Sequence, residues 1–311
     1  MKSEIKLTIL KLLKFIIVLM IIDFGLGFIA KEVFFSQKTG KFHRTTYAIK
    51  KSKDDILIFG SSHAHRHYVP EVVERQLSLS CYNAGAEGQQ LLFHRALQKM
   101  IFKRITPKII ILNIDENFLF KSDIAFERLS DLHPYYSDYK SELHPILRLN
   151  SSMIDFKMLF KSYQTNSTLV HVIKYYLKPQ QDYKGYRPLF DETTANKIES
   201  LEKREPLKEY EEVIDDIFVN TLVDFIEEAQ AKKIKVVFVT SPNLILRDIT
   251  KNESLLKIKE IAKSKEVIFI DFLNSPNYLN KYNLFHDASH LNDKGAKLFT
   301  SSVSKIIKSS I

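Results

Sequence analysis

Short, unbroken apolar runs alternate along this chain with longer stretches in which apolar residues recur every three or four positions. The runs fall at 55–60 (DILIFG), 80–85 (SCYNAG), 107–114 (PKIIILNI), 233–240 (KIKVVFVT) and 267–271 (VIFID). The periodic stretches fall at 71–77, opened by Pro70, and at 89–102, 209–232, 253–263 and from 293 to about 308. A short continuous apolar run is a strand buried on both faces, and a period of 3.6 is a helix with one face on a core. Strands alternating with helices in this way predict a parallel sheet covered on both sides, a doubly wound α/β sandwich.

The N-terminus follows a third pattern. From 7 to 30 the chain reads LTILKLLKFIIVLMIIDFGLGFIA. That run can cross a hydrocarbon core of about 30 Å, which takes about 20 helical residues. Lys11 and Lys14 lie near one end, where their charged heads reach the interface. The run is long and GFIAKEVFF is a poor cleavage site, so residues 1–35 are expected to be a retained membrane anchor. Lysines flank it on both sides, and the short leading tail favours a body outside the cytoplasm. Asp23 is costly in lipid and needs either a partner helix or the headgroup layer. Residues 36–53 are polar and basic and read as a linker, which leaves 54–311 for the α/β domain. An insert at about 120–206 breaks the α/β rhythm and is rich in tyrosine (HPYYSDYKSELHP, KYYLKPQQDYKGYRPLF). It is expected to be a helical lid on the core, or a platform for sugar rings.

Composition narrows the classes. Over 311 residues, 45% hydrophobic and 12% aromatic content supports one large core or two modest ones. The single cysteine, Cys81, excludes an intramolecular disulfide framework and a cysteine-rich metal site. A net charge of +9 suits an anionic membrane surface or an acidic polymer, but its lysines are scattered rather than gathered in a stripe, so no nucleic-acid partner is expected.

Ligands of doubly wound sheets bind beyond the carboxyl ends of the strands. The first strand ends in Gly60, Ser61 and Ser62, the second in NAGAEGQ (83–89), the third in NIDENF (113–118), and FHDASHLNDKGAKLF (285–299) precedes the last helix. A serine, backbone donors, amides and an Asp/His pair therefore meet on one edge, the set that acyl transfer requires. His63, His65 and His67 alternate, but the strand has ended and no Cys or carboxylate cluster accompanies them, so no metal is expected. His63 is expected to contact substrate or to support residues that do, and Arg66 either to bind an anionic group of the substrate or to form a surface ion pair.

GSSH (60–63), NAGAEG (83–88) and DASHLNDKGA (287–296) resemble the first, second and fifth sequence blocks of the SGNH, or GDSL, esterase and lipase superfamily. The resemblance implies Ser62 as nucleophile, His290 as base and Asp287 as its partner, with no cofactor. It implies an oxyanion hole from the Ser62 and Gly88 N–H groups, Gly85 lying close by, and from the Asn117 amide. Ser61 stands where the family has Asp, and IDEN (114–117) replaces the third block, GxND. A GSS start behind an anchor is similar to the branch that O-acylates cell-envelope polymers beside a membrane-bound O-acyltransferase. An O-acyl, most simply O-acetyl, transferase or esterase on an envelope polysaccharide is the expected function. The alternatives are a hydrolase of small or lipid acyl esters and a non-catalytic assembly subunit that keeps the fold.

Overall fold

The computed structural model describes residues 2–149, 151–202 and 209–310. They form two compact units, one from 1–43 with 129–180, the other from 44–128 with 181–311.

In the second unit, β1 (Ile56–Phe59), β2 (Cys81–Asn83), β3 (Ile109–Ile114), β4 (Lys235–Thr240) and β5 (Ile268–Ile270) make one parallel sheet, ordered β2-β1-β3-β4-β5. Ile56 pairs with Cys81 on one side and Ile109 on the other, Ile109 with Lys235, and Val237 with Ile268. Every residue of β1 and β3 is buried, which is why these strands show no polar alternation. Ile56, Ile58, Ile109 and Ile111 face Ala296, Phe299 and Val303 of the last helix (Asp293–Ser310). Phe59, on the opposite face of the pleat, meets Phe225 edge-on at 5.7 Å between ring centroids. Each such buried side chain contributes about 2 kcal/mol. Helices therefore cover both faces, as the continuous apolar runs require. The chain leaves β1 for β2 on one side and returns to β3 on the other, so the winding reverses at the β1/β3 edge, where a crevice opens.

Two expectations need correction here. The stretch 209–232 is not one helix: Glu211–Ile214 is a strand, antiparallel to Phe120–Lys121, and the helix runs Asp216–Ala231. Asp215 stops the helix from extending backward, because its carboxylate accepts the Ile217 N–H at 2.8 Å as an N-cap. The expected linker 36–53 contains a helix, Lys41–Lys50. Arg104 fastens its C-terminal end by donating to the Ile49 and Ala48 carbonyls at 3.0 and 3.3 Å. Basic residues had hidden the buried Ala48 and Ile49.

The first unit is built on α1 (Lys2–Phe35), which from Ser3 to Phe35 is long and apolar enough to cross a membrane. Residues 129–180, expected within a lid, belong to this unit. Their tyrosines have structural partners: Tyr176 Oη lies 2.6 Å from Ser36 Oγ, and Tyr135 packs edge-on against Phe34 at 5.6 Å. Residues 181–202 belong to the sheet unit, where buried Tyr186 donates to Asp293 Oδ1 at 3.0 Å. The expected C-terminal limit of the insert, near 206, lies outside the described residues.

Candidate active site

The site starts at the exit of β1. Gly60 has φ +137, and a Cβ there would come within 2.8 Å of the Asn113 Cβ, so only glycine makes this turn. Ser61 then caps the short helix Ser62–His67, its Oγ accepting the His63 N–H at 3.4 Å. Ser62 is the first residue of that helix and half-buried, so its N–H has no intrahelical acceptor.

The turn before the last helix is built by Asp287. Its Oδ1 accepts the N–H groups of Ser289 and His290 at 2.9 and 2.8 Å, and the His286 N–H donates to the His290 carbonyl at 2.8 Å. The His290 imidazole thereby lies between two partners, Nδ1 at 3.0 Å from Asp287 Oδ2 and Nε2 at 2.8 Å from Ser62 Oγ. A carboxylate only accepts, so Nδ1 carries the proton and the bare Nε2 accepts the Ser62 hydroxyl. Burial pushes the Asp287 carboxyl up, but the hydrogen bond and charge of His290, with the two backbone N–H groups, outweigh it and hold the group below the ordinary carboxylate range. Asp287 is therefore ionised opposite the imidazole.

A second chain of polar groups lies beneath this one. His67 Nε2 accepts the Leu291 N–H at 3.0 Å, so its Nδ1 donates to Ser241 Oγ at 2.9 Å, and Ser241 donates to Asn113 Oδ1 at 2.8 Å. Tyr68 Oη also donates to Asn113 Oδ1, at 2.9 Å. Burial first, then the neighbouring charges of His63, His290 and Arg66, keep His67 well below the ordinary histidine range, hence neutral. His63 behaves oppositely. Burial pushes it down, but Asp115, whose Oδ1 lies 2.7 Å from Nδ1, together with Glu116, raises it above the ordinary value. Asp115 itself is raised by burial and lowered more by His63, Ser61 and His94, a net depression.

Ser62, His63, Gly88 and Asn117 all line one cleft of about 280 Å³. Gly88 has φ +74, which suits glycine, and a Cβ there would lie 3.7 Å from the Arg128 guanidinium carbon. The cleft is polar: Gln90, Asn243, Arg128 and Arg247 share its walls. Arg128 is bidentate to Glu209 at 2.8 and 2.6 Å, and Arg247 meets Glu116 at 2.5 Å.

Arg66 makes the ion pair that was one of its two expected roles. Its guanidinium is buried, donating to the Arg187 carbonyl at 3.2 Å and the Glu87 carboxylate at 3.3 Å, so these groups and not an anionic ligand hold it. The three histidines lie on a helix rather than a strand, and point to Asp115, the Gly185 carbonyl and Ser241 respectively. Sequence reasoning placed NIDENF (113–118) at this edge without giving Asn113 or Asp115 a role, and it missed Ser241, Asn243 and Arg247. The rule that located the other loops also applies to TSPN (240–243) after β4, and would have found Ser241 and Asn243.

No family model matches this chain, and no curated protein matches it. Among solved structures it is similar to an acetyl xylan esterase, at 13% identity and TM-score 0.40, covering 82% of this chain and 99% of that one. It is also similar to a GDSL-like lipase from Bacteroides thetaiotaomicron, at 11% identity and TM-score 0.35, covering 83% of this chain and 89% of that one. The functional reading rests on the geometry of the site and not on these likenesses.

Proposed function

We propose that this chain is a serine acyl-ester enzyme of SGNH type, acting as an O-acyl, most simply O-acetyl, transferase or esterase on a cell-envelope polysaccharide. The observation that carries the reading is the unbroken chain Asp287–His290–Ser62, at 3.0 and 2.8 Å, on the carboxyl edge of a parallel sheet.

In this reading Ser62 Oγ attacks the acyl carbonyl while its proton passes to His290 Nε2, and ionised Asp287 stabilises the imidazolium through Nδ1. The N–H groups of Ser62 and Gly88 and the Asn117 amide receive the oxyanion, each such donor being worth about 3–4 kcal/mol. The imidazolium then protonates the departing alkoxide, leaving Ser62 acylated. A second hydroxyl, deprotonated by the same nitrogen, takes the acyl group. Water as that acceptor makes an esterase, and a sugar hydroxyl makes a transferase.

The polar walls of the cleft, Gln90 and Asn243 among them, support a polyhydroxylated substrate over a long acyl lipid. The apolar α1 supports a membrane location; in this reading the body lies outside the cytoplasm and a membrane-bound O-acyltransferase supplies the acyl groups. The test is labelling of the full-length protein in detergent with a fluorophosphonate, alongside hydrolysis of a chromogenic acetyl ester. Both should occur and both should vanish in Ser62→Ala. Labelling unchanged in that variant overturns the assignment, and no labelling of the parent protein favours a non-catalytic assembly role.

A further inference from the structure

The apolar surface of the α1 unit continues beyond α1 itself. Asp23, inside the apolar run, accepts the N–H groups of Lys161 and Ser162 at 2.7 and 3.2 Å and also the Ser162 hydroxyl. One turn later, a Cβ on Gly27 would come within 2.4 Å of the Lys161 carbonyl carbon. The acid and the glycine thus share one face of α1, and residues around 161 are seated against it. The next charged residue along α1 is Lys31, eight positions or about 12 Å from Asp23. With Lys31 at headgroup level, this seat lies well inside the level of the acyl chains.

Along the segment that carries Lys161 and Ser162, several apolar side chains are exposed. Leu159 is 71% exposed, Val170 75% and Leu177 77%, with Phe156 and Ile173 also exposed. Val170, Ile173 and Leu177 form one face of the helix Leu169–Leu177, while Val172 on another face is buried. Lys174 and Lys178 are exposed beside this face, and Lys157 is exposed at the end of the helix Ile154–Lys157. An apolar surface of this kind, edged by lysines and continuous with a membrane-length helix, matches an anionic lipid leaflet.

We propose that residues 153–178 are a second membrane element, a helical wedge seated on α1 with its apolar face in the acyl chains of one leaflet and its lysines among anionic headgroups. The proposal rests on α1 crossing the bilayer. It accounts for Asp23, an intramembrane acid whose oxygens are met by the wedge's own N–H and hydroxyl groups. It also accounts for Gly27, which lets the wedge approach.

The experiment uses the full chain in vesicles of phosphatidylcholine and phosphatidylglycerol, with single cysteines introduced into a Cys81→Ser background. An environment-sensitive fluorophore is placed at position 159 or 177, at Met20 on α1, and at Leu298 of the sheet unit as the water-exposed reference. Nitroxide lipids should quench positions 159 and 177 at least about twofold more than position 298, and position 20 likewise. In Gly27→Leu the quenching at 159 should fall while that at 20 persists. Quenching at 20 with none above reference at 159 and 177 overturns the wedge. No quenching at position 20 overturns the membrane reading of α1, and the wedge with it.

Discussion

The backbone N–H of Leu291 donates to Nε2 of His67 across 3.0 Å. The helix Ser62–His67 thus grips the turn that carries His290 twice, through Ser62 Oγ on the imidazole and through His67 on the backbone one residue later. One six-residue helix sets the distance between the proposed nucleophile and its base. His67→Phe leaves one buried donor, the Leu291 N–H, and one buried acceptor, Ser241 Oγ, without their ring partner, at a cost of about 1–3 kcal/mol each. Ester turnover should fall about 10- to 100-fold in kcat with KM nearly unchanged, a split that steady-state kinetics resolves. A change confined to KM would show that His67 does not position the base.

Asp287→Asn tests the tautomer. An amide can keep the backbone N–H bonds of the turn through Oδ1, but its NH₂ faces Nδ1 and drives the imidazole proton to Nε2. Turnover should drop about 10⁴-fold while the folded circular dichroism spectrum is retained. A loss under tenfold would remove Asp287 from the mechanism.

His63 should titrate above the ordinary histidine value, because Asp115 at 2.7 Å outweighs burial. In Asp115→Asn the largest opposition to burial is gone and only Glu116 still raises the group, so the same resonance should move down. Proton NMR of ¹³C-labelled histidine in both proteins checks the sign. A resonance that does not move would mean that the carboxylate is not the partner in solution.

Buried histidines should make the fold acid-sensitive. Burial pushes His94 down to about 4 despite the charge of Asp115, and His65 and His67 are lowered as well, each chiefly by burial. Below about 6.5 the unfolded chain binds protons that these folded residues refuse, so their stability is complete above that pH and is lost as the pH falls. His94 alone accounts for about 3 kcal/mol between pH 6.5 and its folded value. Guanidinium unfolding in detergent across that range should show the decline, and His94→Leu should flatten part of it. A stability that does not change from neutral to pH 5 would contradict the neutral burial of these rings.

Transfer and hydrolysis share the same acyl-enzyme, so the acceptor separates them. With an activated acetyl donor, added envelope-type oligosaccharide should divert the acetyl group from water to sugar, measured by mass spectrometry of the products. Fast hydrolysis with every sugar tried, and no acetylated sugar, would leave the esterase reading.

Local patterns in the chain determined the strands and most of the helices, because periods of burial are written wherever each side of an element meets one environment throughout. They determined the membrane-length run at 7–30, and they brought Ser62, His290 and Asp287 to one edge, since strand ends in a parallel sheet share that edge. Only the tertiary structure decided the partners. Asn113 and Ser241 stand at strand ends, but that they pair with each other and with His67, up to 174 positions away, is written in no local pattern. Arg66 looked available for substrate until Glu87 and the Arg187 carbonyl occupied it. Strand 211–214 formed inside a helical pattern because Phe120–Lys121 offered it a ladder. The insert divided at about 180 because its helices bury their faces on different elements, and a period states that a helix has an apolar face without stating what covers it.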